Sequence, residues 1–309
     1  MVTEFTFWFI FSVVVAFLFF VDLYVTDHRK GRISVKASLI WSGVWIIAAL
    51  IFNTFLYFYL ENGHQKALEF LTGYLVEKSL SVDNLFVFLL IFKVMDVPAE
   101  HQPHILKWGI LGAIFFRIIF ILAGVALINL FHPIIYIFAI ILLYAAYKMA
   151  FGGEQKIDVE NNWLIKLFTK YFKLDTTYRG KNFFISRNGR RYITTMFLTL
   201  LLIESSDIVF AVDSIPAIIA ITRDTFIIIT SNIFAILGLR ALYFALSGLV
   251  DLFHYLKYGV AIVLFYVGIK MVVSDFYKIP TEASLIIILV VLSGSVILSL
   301  IHKQTKPMN

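Results

Sequence analysis

The chain has 309 residues, 61% of them hydrophobic, with a mean hydropathy of +0.89 and a formal charge of +6. A soluble domain is about 45–50% apolar; here the excess falls in runs of about twenty residues, the length that crosses ~30 Å of hydrocarbon, so the chain reads as a polytopic membrane protein. The excess Lys and Arg lie between the runs, a positive-inside pattern and not a nucleic-acid footprint, and the lack of cysteine excludes disulfides, thiolate metal sites and Cys nucleophiles.

Nine spans are predicted in an all-α fold, at 6–26, 38–60, 68–93, 105–128, 132–150, 194–220, 225–247, 255–275 and 283–302. No basic, acid-poor leader precedes the first span, so neither a transit peptide nor a cleaved signal peptide is expected. The loop after the first span carries Arg29, Lys30, Arg32 and Lys36, and the 151–193 segment carries nine Lys or Arg residues from Lys156 to Arg191. Both belong on one side, with the tail that holds Lys303 and Lys306; loops 61–67, 129–131 and 221–224 are poor in Lys and Arg. The expectation is a bacterial plasma (inner) membrane protein with its N-terminus outside and its C-terminus in the cytoplasm. In the long loop, Trp163, Leu164, Leu167, Phe168, Tyr171 and Phe172 recur at helical spacing with Lys166, Lys170 and Lys173 between them. This predicts an amphipathic helix on the inner membrane face. Asn188-Gly189 between β-rich runs predicts a hairpin.

The ionisable residues repeat in order. Asp83, Arg117 and Lys148 are followed by Asp207, Arg240 and Lys270, at offsets of 124, 123 and 122 positions. Tyr144-Ala-Ala-Tyr-Lys148-Met149 matches Tyr266-Val-Gly-Ile-Lys270-Met271. The organisation then reads as two accessory spans (1–60), a three-helix repeat (61–150), a cytoplasmic loop (151–193), a second three-helix repeat (194–280), and a ninth span with its tail (281–309). Three spans per unit is odd, so the units run in opposite senses, the arrangement of secondary transporters with a site near the bilayer midplane.

That site is expected at Glu77, Asp83, Asn84, Glu204, Asp207 and Asp213, with Arg117, Arg240, Lys148 and Lys270 as supporting charges. A charge at mid-bilayer costs about 2.5–3.5 kcal/mol on insertion scales, so five acids in spans argue for a function. They exceed the four bases by one, an excess that welcomes a cation; protons taken up on its release would supply coupling. Carboxylate, amide and hydroxyl oxygens, with Ser205, Ser206 and Ser214 nearby, suit a hard ion such as Mn²⁺, Ca²⁺ or Mg²⁺, whereas all seven His lie in loops or at span ends. Pro216 frees the carbonyl of Val212 from the helix ladder, and unwinding near Ser214 is expected to bring Asp213 round to the face of Glu204 and Asp207. Arg117 and Arg240 are expected to pair with carboxylates or carbonyls and hold the bundle together. Gly109, Gly112 and Gly238 are assigned to close helix packing. Asp22, Asp27 and Asp251 read as solvated.

Leu71-Thr-Gly-Tyr-Leu-Val-Glu77-Lys-Ser-Leu-Ser-Val-Asp83-Asn84, Glu204-Ser-Ser-Asp207-Ile-Val-Phe-Ala-Val-Asp213-Ser-Ile-Pro216, Thr230-Ser-Asn-Ile-Phe-Ala-Ile-Leu-Gly-Leu-Arg240 and Gly268-Ile-Lys270-Met271 closely resemble motifs of the TerC family, Alx-like members in particular, within the LysE-type transporter superfamily. The resemblance implies export of Mn²⁺ from the cytoplasm and assigns the five acids to the family's membrane carboxylates. Family names that mention tellurium, and suggested Ca²⁺ transport, keep two alternatives open: exchange of another divalent cation, and a membrane scaffold or sensor in tellurite or envelope stress. No enzyme is expected: the chain has no Gly-x-Gly-Asp motif for an intramembrane aspartyl protease and no His-Glu-x-x-His. Nor does it have a nucleotide-binding motif for direct ATP drive. The expected partners are a divalent metal ion, carried as substrate with no resident cofactor, and membrane lipids, without nucleic acid; the sequence leaves the oligomeric state open.

Overall fold

A computed structural model describes residues 4–22, 34–131, 133–152, 162–175, 180–187, 189–248, 255–277 and 279–301, with the side chain of Asp83 outside the description. Its helices are α1 (Glu4–Phe20), α2 (Val35–Tyr59), α3 (Gly63–Val94), α4 (Gln102–Leu130), α5 (Ile134–Phe151), α6 (Trp163–Tyr171), α7 (Thr195–Ile219), α8 (Thr225–Ile236), α9 (Leu239–Ser247), α10 (Leu256–Val273) and α11 (Thr281–Ile301). Short polar residues start several of them. Ser34 accepts from the Ala37 N–H, Asn162 from Leu164 and Ile165, Thr194 from Phe197, and Asp224 from Phe226 and Ile227, which satisfies donors that a helix start leaves unpaired.

Among the described residues, each of the nine predicted spans falls on helix. Six helices are long and apolar enough to cross a membrane, and α8 with α9, bent by 41°, makes a seventh. Of the remaining two, α1 is short, and α3 carries Lys66, Glu69, Glu77, Lys78, Asp83 and Lys93 along its length. The chain is an all-α polytopic membrane protein.

At the centre, α3, α4, α7 and α8 pack on one another, and α5 packs along α10. The contact of α3 with α8 has its counterpart in that of α4 with α7, and α3–α7 and α5–α10 are self-paired. A two-fold relating α3–α5 to α7–α10 would produce this pairing. One buried cluster gathers Trp45, Phe52, Phe70 and Phe234, and another Phe92, Leu106, Ile203 and Tyr243. Large apolar side chains such as Phe115, Ile119, Ile140 and Tyr144 point outward, the inside-and-outside apolarity of a lipid-embedded bundle.

Three differences from the sequence reading bear on function. First, α7 runs unbroken through Pro216 to Ile219, and the Ala220 N–H bonds to the Pro216 carbonyl. Proline removes the ladder bond to Val212 but already has helical φ, so one proline bends a helix without unwinding it. Secondly, the break lies one span later. Residues 225–247 were expected to form one span; here the chain leaves the helix at Leu237 and turns at Gly238, whose φ is 78°. Gly238 tolerates that left-handed angle, and a Cβ there would overlap the Trp45 ring, so it is more than a packing glycine. Thirdly, α6 packs on α7: Ile165 is buried, Asn162 Nδ2 donates to Ser205 Oγ at 2.7 Å, and Phe168 meets Phe197 edge to face. The expected hairpin is present as β2 (Phe184–Arg187) and β3 (Arg190–Thr194), and β1 (Lys173–Asp175) adds a parallel strand to β3.

Candidate cation site

Glu77 sits on α3, four turns into a helix whose start and end are both polar, and its side chain is wholly buried. It pairs with Arg117 of α4, itself 5% exposed. Ser81, one turn on, donates to Glu77 Oε1 at 3.1 Å. Arg117 also donates to Asn232 Oδ1 on α8 at 3.0 Å, and Asn232 Nδ2 is held by the Ile228 carbonyl at 2.8 Å. An ion pair this deep is worth having only when both charges are further hydrogen-bonded, and Ser81 and Asn232 supply those bonds.

Helix α7 brings the second group. Glu204 is buried with its carboxyl group against Gly112 of α4, where any Cβ would collide with it. Gly112 therefore makes room for a carboxylate, which corrects its assignment to helix packing; Gly109, against Ile203, keeps that role. Asp207, one turn beyond Glu204, lies in the fields of Arg117 and Glu77, and Glu204 in that of Asp207. Glu77, Glu204 and Asp207 thus face one region between α3, α4, α7 and α8, with Arg117 beside them. Glu77 Oε2 and Glu204 Oε2 are both buried without a hydrogen-bond partner. Asn84 is buried just under one turn along α3 from Ser81.

Other expected members lie elsewhere. Asp213, on the continuous α7, feels Lys148 of α5, which is exposed. Arg240 pairs with Asp22, Nε to Oδ2 at 2.9 Å, with both side chains buried. The expectation of a solvated Asp22 is therefore overturned: it completes the span of a helix whose end meets α9. Asp27 and Asp251 lie outside the described residues. Lys270 is buried, donates to Ser284 at 2.9 Å and feels Glu69, whose carboxylate accepts from Gln65 at 2.9 Å and Thr222 at 2.6 Å. Together with the Lys66–Asp224 pair, this forms a separate polar cluster at one end of the bundle. Among the described residues no three His, Asp or Glu converge as ready-made metal ligands. The central acids are thus neighbours around an arginine, not a closed cage.

Two residues of this region escaped the sequence reading: Asn232, in the polar run Thr230-Ser231-Asn232 of an otherwise apolar helix, and Lys78, which donates to the carbonyls of Ala235 and Leu237 at 3.1 and 3.3 Å.

The profile of the integral membrane protein TerC family matches residues 62–307, from the start of α3 through α11. The chain belongs to the TerC family. It is 44% identical over 282 residues to the Escherichia coli K12 protein Alx, for which a role as a membrane-bound redox modulator has been suggested, covering 89% of this chain and 88% of that one. It is likewise 44% identical over 281 residues to the membrane protein STKORF319 of Myxococcus xanthus, at 91% and 88% coverage. A membrane protein of Rickettsia felis is 40% identical over 297 residues, with 96% of this chain and 98% of that one aligned. No solved structure matches the chain. Glu77, Arg117, Glu204, Asp207 and Asn232 all lie inside the family region.

Proposed function

We propose that this TerC-family protein is a secondary transporter that exports Mn²⁺ from the cytoplasm in exchange for protons. One observation carries the reading: two carboxylate oxygens, on Glu77 of α3 and Glu204 of α7, are buried without hydrogen-bond partners inside the helix bundle of a membrane protein. A buried polar atom with no partner costs about 1–3 kcal/mol, more when charged, and such an atom is completed by a metal ion or by a proton. Alternation between the two is metal–proton exchange. Asp207 and Asp83, at equivalent positions of two repeat units running in opposite senses, would complete the ligand set from the two sides of a pseudo-two-fold axis.

The donor chemistry supports the choice of ion. Oxygen ligands without sulfur or imidazole suit Mn²⁺; Mg²⁺ gives up its water reluctantly, and Ca²⁺ takes more ligands at longer distances. The metal is cargo, so no enzymatic role and no resident cofactor enters the reading. The Lys and Arg distribution supports insertion in the inner membrane with the C-terminus in the cytoplasm. The redox role suggested for Alx could not run on thiols here, since the chain has no cysteine.

The test is uptake by everted vesicles. Mn²⁺ should enter in preference to Ca²⁺, with little Zn²⁺, and should carry protons the opposite way. Uptake of Zn²⁺ ahead of Mn²⁺ would defeat the ligand argument; no cation flux at all would defeat transport.

A further inference from the structure

The α8–α9 break leaves a helix end inside the membrane. The last four carbonyls of a helix have no ladder partner, and in lipid each must find one. Ala235 and Leu237 find theirs in a side chain 157 and 159 positions away, the Lys78 ammonium. Lys78 follows Glu77 directly, so the ammonium seated on the break is anchored beside the carboxylate that faces the candidate cation site. The carboxylates of Glu77 and Asp22 both act on its charge, and Asp22 holds Arg240 on α9, just past the break. One cation therefore touches the first half of the broken span directly and sits between the acid of the site and the acid that grips the second half.

We propose that Lys78 is a positioning residue for transport: a tethered cation that latches the α8–α9 break and is displaced when a divalent cation arrives at Glu77. A substrate ion at Glu77 repels the ammonium and removes the negative charge that kept it there. Loss of the ammonium leaves the Ala235 and Leu237 carbonyls unpaired, which favours a changed bend at Gly238. Binding at the site is thereby converted into movement of a half-span. The displacement step rests on the exporter reading; the latch itself does not.

The chain has no cysteine, so a single Leu237→Cys reports on the break without background labelling. In purified protein its thiol should react slowly, and Lys78→Met should speed labelling about tenfold, the worth of one hydrogen bond to a charged group. Lys78→Gln, one atom shorter and with an amide N–H donor but no charge, should fall between them, and Lys78→Arg should restore protection. Added Mn²⁺ should speed labelling when Lys78 is present and change nothing in Lys78→Met. In everted vesicles Lys78→Met should lower the maximal Mn²⁺ rate about tenfold without raising the half-saturating Mn²⁺ concentration. Unchanged labelling in both Lys78→Met and Lys78→Gln would overturn the latch, whatever the flux shows. Faster labelling in the mutants with no effect of Mn²⁺ on the parent would overturn the displacement step. A parent protein that carries no Mn²⁺ would sink the exporter reading and leave the latch standing on its labelling rates.

Discussion

Arg117 and Glu77 bury opposite charges where neither would persist alone. Removing one partner of such a pair costs about 3–5 kcal/mol, because the other charge stays behind. Glu77→Gln takes the paired carboxylate from the Arg117 guanidinium, leaving it the Asn232 hydrogen bond and the field of Asp207, and the thermal unfolding midpoint in detergent should fall sharply. Adding Arg117→Met should recover part of the loss, since the stranded charge goes with it; additive losses in that double-mutant cycle would show that the pair is not coupled. Gly112 makes a different point. Gly112→Ala pushes the Glu204 carboxylate out of its place against α4, so Mn²⁺ flux should drop while the midpoint moves little. Asp83→Asn and Asp207→Asn should abolish flux with membrane insertion intact, against Asp158→Asn, in the Lys- and Arg-rich 151–193 segment of the sequence, as the silent control. Wild-type flux in both would remove these acids from the site.

Among the elements, the broken span is set by one dihedral angle. Gly189 in the β2–β3 turn and Gly238 at the α8–α9 break have φ of 73° and 78°, a region that costs an L-residue about 1–2 kcal/mol. A Cβ on Gly189 meets nothing within 4 Å, whereas one on Gly238 meets the Trp45 ring. Gly238→Ala should therefore destabilise the protein clearly more than Gly189→Ala, as read by unfolding midpoints. Equal effects would mean that α2 yields at Trp45 and does not clamp the break. Proline and glycine thus divide their labour: Pro216 bends α7 and leaves it helical, and Gly238 ends a helix in the middle of a span.

For the whole molecule, the topology proposed above puts Asn62 outside and Lys170 of α6 in the cytoplasm. Cysteines introduced singly at these positions should behave oppositely toward an impermeant thiol reagent applied to whole cells, with 62 labelled and 170 spared. Labelling of 170 alone would reverse the topology and the direction assigned to each repeat. The pairing of α3 with α8 and of α4 with α7 brings both halves of the chain to one centre, where Arg117 of α4 meets Glu77 of α3 and Asn232 of α8.

Much of this was determined by the chain's linear pattern. Span positions follow from apolar run length, a local property that needs no neighbour; the same linear pattern carries the proposed sidedness, through Lys and Arg between the runs, and the proposed acids, through their cost in lipid. Tertiary structure alone decided which charges meet. Arg117 and Arg240 occupy matching positions in the sequence, yet one reaches Glu77 and Asn232 and the other reaches Asp22, a residue some 218 positions away. Asp22 looks like a solvated span-end charge, and Lys78 draws no notice in the sequence, until α9 and the end of α8 are packed against them. The location of the helix break was likewise decided by packing: Pro216 carries the stronger breaking signal, yet α7 continues through it, whereas the chain breaks at Gly238, where the Lys78 ammonium receives the carbonyls of Ala235 and Leu237.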